Sequence, residues 1–385
     1  MSLLANAPSW ATEEHKMFAE MVRRFFADEM APNIENWVEN GVVGRDFWQK
    51  AGAAGILGGA VAEQYGGSDG DIGFDAIALY EQARLGDVNW GMGIQSIVIH
   101  YVSAYGTEEQ KARWLPGLVS GKTIGALAMT EPSTGSDLKA IRTNAQRDGN
   151  LYRINGSKIF ITNGGSADLI ITVAKTDPEA GVKGVSLIVV EAGEAEGFSR
   201  GKPLKKLGMK GNDTAELFFE DVKVPLSNLI GTEEGQGFYQ LMKQLPWERL
   251  LIAIQALGAM DFALAQTVEY VQGRKAFGQR VMDFQNTRFK LAECKTKTEV
   301  LRAFTTQSIG GLIEGTLDAA TASMAKLYGS EMQGQVMDEC LQLFGGYGYM
   351  MEYPIARAYA DARVQRIYGG TNEIMKELIA RSLDV

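Results

Sequence analysis

Few side chains in this sequence are of the types that most often carry metal or nucleophilic chemistry. There are two histidines, His15 and His100, and two cysteines, Cys294 and Cys340, all far apart. Zinc sites need such ligands at close, paired spacing, so a metalloenzyme built on histidine is not expected. A serine triad would have to use one of the same two imidazoles. Gly121-Lys122-Thr123 ends like a phosphate loop, but that motif needs a glycine where Pro116 stands. Glu248, in Leu245-Pro246-Trp247-Glu248-Arg249, reads locally as a helix carboxylate. A glutamate in the first turn after a proline is favoured by the helix dipole and needs no other role. In an active site the same carboxylate is a general base. On these residues alone, the first-turn reading is the stronger. The 45 glycines, roughly twice the usual share, call for tight turns or close backbone approaches.

Elements must position these groups, and the chain changes character twice. Residues 1–125 read as helical. Met17, Met21, Val22, Phe25 and Phe26 fall on one helix face, predicting a helix over 15–30 closed by Pro32. Thr107 with Gln110 resembles a capping box. Residues 126–232 read as strands: LYRINGSKIFIT, ADLIITVAK, GVSLIVVEA and AELFFEDVKV are short β-prone runs between Gly, Asn and Asp turns. Helix returns over 233–385, where Met332, Val336, Met337, Cys340, Leu341 and Phe344 share one face, read as core packing. The expected fold is α+β: an N-terminal helical domain, a middle β-barrel or sandwich, and a C-terminal four-helix bundle. Strands and helices do not alternate, which excludes Rossmann and TIM-barrel layouts.

Composition narrows the class further. The chain has 385 residues, 45% apolar and 22% charged, which suits a globular protein of two or three domains. A net charge of −9 argues against nucleic-acid binding. No run approaches eighteen apolar residues, so no membrane span is expected. Two cysteines and an N-terminus with no basic residue before Lys16 and no apolar core predict a cytoplasmic, bacterial-type protein.

Five strings, in order, carry a resemblance. They are Ala128-Met-Thr-Glu-Pro-Ser-Thr-Gly-Ser-Asp137, LGMKGNDTAELFFEDVKVP at 207–225, Arg274-Lys-Ala-Phe277-Gly followed by Gln285, Gln342-Leu-Phe-Gly-Gly-Tyr-Gly-Tyr349, and Ile367-Tyr-Gly-Gly-Thr-Asn-Glu-Ile374. Together they resemble the acyl-CoA dehydrogenase family over nearly the whole chain. The resemblance implies FAD as cofactor. Leu127, Met129, Thr130, Phe160 and Thr162 would contact the flavin ring, Phe160 standing where the family usually has Trp. Ser136 would bridge cofactor and CoA. Arg274, Phe277, Gln285, Gln342, Gly345 and Gly346 would hold the adenosine diphosphate half across a subunit interface, in a homotetramer. Thr371 and Glu373 would close the site. Phe238, Met242, Arg249 and Gly370 would contact the acyl-CoA, with Arg249 facing the CoA.

One departure decides the mechanism. Many family members carry the catalytic Glu in Tyr-Glu-Gly-Thr; here the string is Tyr368-Gly369-Gly370-Thr371. The long-chain and isovaleryl branches place the base on an earlier helix, and Glu248 matches that position. The implied reaction is α,β-dehydrogenation of a long-chain or 3-methyl-branched acyl-CoA to the trans-2-enoyl-CoA. Glu248 would take the α-proton, and the Gly369 N–H would stabilise the thioester oxygen. Electrons would pass to an electron-transfer flavoprotein. An acyl-CoA oxidase and a non-catalytic flavoprotein or acyl-CoA-binding scaffold are the alternatives. The oxidases usually carry a further C-terminal domain, so a chain ending at Val385 favours the dehydrogenase. Part of the acyl pocket is expected along Trp90 to Tyr101, with His100 satisfied locally.

Overall fold

A computed structural model describes residues 2–5, 7–193 and 195–383. The first region holds six helices: α1 Glu13–Phe25, α2 Ile34–Asn40, α3 Arg45–Ala53, α4 Ile72–Arg84, α5 Met92–Tyr105 and α6 Glu108–Val119. The Thr107–Gln110 capping box forms and starts α6. The helix expected over 15–30 ends as α-helix at Phe25, and a π-helical turn, Phe26–Met30, follows before the proline. That turn keeps Phe26 and Met30 in the core. α4 and α5 are buried almost throughout.

The middle region is one seven-stranded mixed sheet. Its strands are β1 Gly125–Ala128, β2 Asn144–Asp148, β3 Leu151–Thr162, β4 Leu169–Lys175, β5 Val185–Glu191, β6 Phe198–Arg200 and β7 Thr214–Pro225. The order is β1-β4-β2-β3-β7-β6, with β5 also paired to β4. β2 and β4 join through a single residue pair, Asn144 with Lys175, and β1 packs against β3. The four runs expected as strands are β3, β4, β5 and β7. β1, β2 and β6, of four, five and three residues, are too short to show as runs in the sequence.

The last region is built on three long helices, α7 Gly237–Gly273, α8 Gln285–Ile313 and α9 Ala319–Leu343, with α10 Pro354–Ala362 and α11 Asn372–Arg381 packed on α9. A small hairpin, β8 Lys275–Ala276 with β9 Gln279–Arg280, joins α7 to α8. Cys340 and Cys294 meet in the core. One expectation changes at α7. The helix does not begin at Pro246 but runs through it, and Tyr105 Oη donates to the Gln240 carbonyl six residues before. It is also long and apolar enough to span a membrane, with mean hydropathy 1.5 over its most apolar window. Most of that window, 83%, is buried inside the protein, because α7 packs between α4, α8 and α9.

Candidate active site

Because α7 starts nine residues earlier than the proline suggests, Glu248 lies deep in a core helix rather than in a first turn. Every residue from Trp247 to Leu264 is buried, and Glu248 is only 5% exposed. It lines a cavity of about 180 Å³ shared by all three regions. Trp90, Gly91, Ile94 and Ile97 come from α5 and the loop before it. Leu127, Met129, Thr130, Phe160 and Thr162 come from the sheet. Leu251, Ile252, Gln255, Tyr368 and Gly369 complete it from the C-terminal region. A larger hollow of about 490 Å³ lies near Trp10 and Phe304, but its two carboxylates, Glu314 and Asp318, are exposed. Volume alone does not select the site; a buried carboxyl with no ion-pair partner does, whereas the buried Glu81 and Asp261 at another hollow are paired with arginines.

Burial pushes the Glu248 carboxyl up from 4.5 to about 7, since desolvation penalises the charged form. Two groups oppose this: Tyr101 Oη donates to Glu248 Oε1 at 2.9 Å, and the Arg249 cation lies next along the chain. Arg249 does not face the cavity. It is itself buried, with one terminal nitrogen donating to Ser323 Oγ at 3.2 Å and its Nε unpartnered. A neighbour on a helix is turned by about 100°, which aims Arg249 at α9 while Glu248 faces α5.

Gly369 sits beside Glu248 in the cavity wall with φ +63°. A Cβ there would fall on Ile252 Cδ1. The side chain of Ile252 thus occupies the space a residue at 369 would use. The Gly369 N–H donates to no acceptor among the described residues. Gly370, at φ +90°, presents its carbonyl to Lys326 Nζ at 2.8 Å. This ties the glycine pair to α9 and leaves the Gly369 amide free.

The opposite wall is fixed by a buried ion pair. Lys158 Nζ, fully buried, donates to the Met129 carbonyl at 3.0 Å and to Glu131 Oε1 at 2.9 Å. Glu131 also accepts from the Arg142 and Thr143 amides. The ladder between β3 and β7 slips between Lys158 and Ile161, and at the slip Phe160 takes φ +61°. Its ring, 65% exposed, lies at the cavity. A non-glycine residue held there costs energy and marks functional positions.

The cavity suits a flat aromatic cofactor ring. Phe160, Trp90 and Leu127 give apolar walls, and the Thr130 and Thr162 hydroxyls donate to no acceptor among the described residues. The remaining candidates are placed elsewhere. Arg274, Gln342, Gly345 and Gly346 line a separate hollow of about 500 Å³. Phe277, 96% exposed, tips the β8–β9 hairpin, and Gln285 opens α8 in solvent. Within one chain this set does not converge with Glu248. Ser136 is exposed on the loop after β1. Phe238 is half-buried and Met242 exposed, both on α7 N-terminal to Glu248 and outside the cavity. Thr371 caps α11, accepting from the Ile374 amide, and Glu373 is exposed in its first turn. His100 is satisfied by Asp75 at 2.9 Å, as expected.

The sequence marks Tyr101 only as the end of a pocket-lining stretch, and gives no sign of its bond to Glu248, of the Ile252 contact at Gly369 or of the Lys158–Glu131 pair. Tyr101 lies one turn beyond Ile97 on an apolar helix face, a pattern that reads only as core. Nothing local tells a tyrosine whose hydroxyl meets a carboxylate from one that merely packs.

Three family models match the chain: acyl-CoA dehydrogenase, N-terminal domain, over residues 12–122; middle domain, over 126–222; and C-terminal domain, over 235–383. The long-chain specific mitochondrial acyl-CoA dehydrogenase of Rattus norvegicus is 52% identical over 375 residues, which are 97% of this chain and 87% of that protein. The crystal structure of an acyl-CoA dehydrogenase from Geobacillus kaustophilus is similar with a TM-score of 0.95 and 46% identity, covering 98% of this chain and 100% of that one. A glutaryl-CoA dehydrogenase from Mycobacterium smegmatis, solved in complex with FADH2, is similar with a TM-score of 0.91 and 28% identity, covering 99% and 97%.

Proposed function

This chain belongs to the acyl-CoA dehydrogenase family, and on that premise we propose that Glu248 is its general base and that its substrate is the CoA thioester of a long-chain acyl group. One observation carries the assignment. A carboxylate held near pH 7 by burial faces the same cavity as the free Gly369 amide. A base is most effective when its pKa lies near the working pH. Glu248 removes the α-proton of the acyl thioester. The Gly369 N–H receives the charge that develops on the thioester oxygen, as a preorganised donor. Glycine at 369 does this without placing a second carboxylate in the cavity. Trp90, Ile94 and Ile97 keep water from the reacting carbons.

The family is FAD-dependent, and FAD when bound supplies the acceptor for the β-hydrogen as hydride. Leu127, Met129, Thr130, Phe160 and Thr162 would hold its ring. Lys158 sets the height of the Met129 carbonyl and so of that whole wall. Arg274, Phe277, Gln285, Gln342, Gly345 and Gly346 form a second surface on the same chain, and we assign them to the adenosine diphosphate half of the cofactor bound by a neighbouring subunit. A homo-oligomer follows from that assignment, and an electron-transfer flavoprotein is the proposed electron acceptor. The long-chain preference is supported by likeness to the rat enzyme and by Gly369.

Anaerobic addition of acyl-CoAs of graded length to the yellow holoenzyme tests the function. Bleaching of the flavin's visible absorbance by a long-chain thioester is the expected result. Spectral shifts without bleaching across the series would refute the proposed dehydrogenation.

A further inference from the structure

The geometry around Glu248 assigns a role to a residue 147 positions away in the chain. We propose that Tyr101 is the positioning residue of the base: its hydroxyl holds Oε1 of Glu248 before and after proton transfer, so that Oε2 alone takes the substrate proton. This rests on the reading of Glu248 as the base.

Tyr101 Oη donates to Oε1 at 2.9 Å, and the Tyr101 side chain is fully buried. Its ring packs beside Tyr105 on the same helix, with centroids 6.1 Å apart. Oε2 makes no hydrogen bond among the described residues, yet Glu248 lines the cavity. Oε2 is therefore the oxygen left for the substrate.

A phenol has one proton to give. Burial, then the nearby Glu248 charge, push its own ionisation well above the usual tyrosine value, so it stays a donor. A carboxylate accepts that bond at Oε1. A carboxylic acid still accepts it there, provided the new proton sits on Oε2. A proton on Oε1 would set donor against donor and orphan the buried phenol, which is costly. The bond thus survives the reaction only if Oε2 is the acceptor, and no reorientation is needed between states. The same bond favours the ionised form of the carboxylate.

The other charged or titratable groups around Glu248 are placed differently. Arg249 is on its own helix and turned toward Ser323. Tyr105 bonds Gln240 and Gln244. His100 is paired with Asp75 of α4. Tyr368 is half-buried in the cavity wall. Lys326 of α9 holds Gly370 and Asn372.

The test uses holoenzyme carrying Tyr101→Phe, which removes one oxygen and keeps the buried ring, assayed with hexadecanoyl-CoA. A hydrogen bond to a charged group is worth on the order of one to two pKa units. The acidic limb of kcat/KM is expected to move up by about one pH unit or more, and kcat at pH 7 to fall about fivefold as the ionised fraction drops, with KM and FAD content unchanged. Infrared difference spectra should show the protonated Glu248 carboxyl, identified by its loss in Glu248→Gln, titrating at higher pH with a raised C=O frequency. Tyr101→3-fluorotyrosine, a stronger donor, should move the limb the opposite way, and Tyr105→Phe should leave it in place. An unmoved limb and carboxyl midpoint in the Tyr101 variants overturns the proposal, even if activity falls, since a packing role alone predicts that result. If Glu248→Gln keeps normal turnover, the base assignment itself fails. If Glu248→Gln is inactive while Tyr101→Phe is unchanged, only the role of Tyr101 fails.

Discussion

Glu248→Gln should abolish turnover and, above pH 7, make the protein more stable. The side chains are nearly isosteric, and Tyr101 can still donate to the amide oxygen, so packing is kept. What changes is the charge. In the folded protein burial raises the carboxyl from 4.5 to about 7. The gap of about 2.5 pH units, at about 1.36 kcal/mol per unit, corresponds to about 3 kcal/mol. The folded state binds the proton more tightly than the unfolded chain. Below pH 4.5 both states are protonated and the wild-type protein carries no charge penalty. Between 4.5 and 7 the unfolded chain releases its proton first, so wild-type stability falls as pH rises. Above 7 the full penalty of about 3 kcal/mol is present, as an upper estimate. The glutamine variant has no such dependence. Thermal midpoints of both holoenzymes at pH 5 and pH 8 read the difference: the variant's advantage should be large at pH 8 and small at pH 5. An advantage equal at both pH values, or none at pH 8, would refute the buried-charge argument. Normal turnover in the variant would refute the base assignment.

Further outcomes follow from single contacts. Glu248→Gly with Gly369→Glu should recover little activity, because position 369 has φ +63° and Ile252 Cδ1 fills the Cβ position; adding Ile252→Ala should raise it, and equal rates with and without that change count against the clash. Lys158→Met leaves Glu131 buried without its cation and should cost about 3–5 kcal/mol, measured as a lower thermal midpoint with FAD lost on gel filtration; an unchanged midpoint would show that the pair does not hold the wall. Arg249→Gln removes a cation that favours ionised Glu248 and should shift the acidic limb of kcat/KM upward, with a downward or absent shift contradicting the electrostatics.

Much of this architecture is legible in local pattern. The four longest strand runs, the Thr107 capping box and the α9 stripe through Val336, Met337 and Cys340 are short-range signals, because side-chain periodicity and capping act within a few residues. The ordered motifs identify the family, and the missing side chain at Gly369 is visible in one letter. From that letter two readings follow: a base supplied from elsewhere in the chain, or a relative without catalysis.

What only the tertiary structure decided is the environment of Glu248, the proposed base. Read locally, Pro246 starts a helix and Glu248 is a first-turn carboxylate. Folded, α7 begins at Gly237, runs through the proline and is enclosed by α4, α8 and α9. Burial is set by which helices surround a position, so neither the pKa near 7 nor the inward turn of Arg249 is written in the neighbouring residues. The bond from Tyr101 joins α5 to α7, and Ile252 fills the space that Gly369 leaves empty. The Arg274 and Gln342 set, read from the sequence as cofactor ligands, lies on a different face of the chain from Glu248. The sequence determined the residue types and their order; long-range packing determined which of them share one dry cavity, and desolvation there is what gives a common glutamate its chemistry.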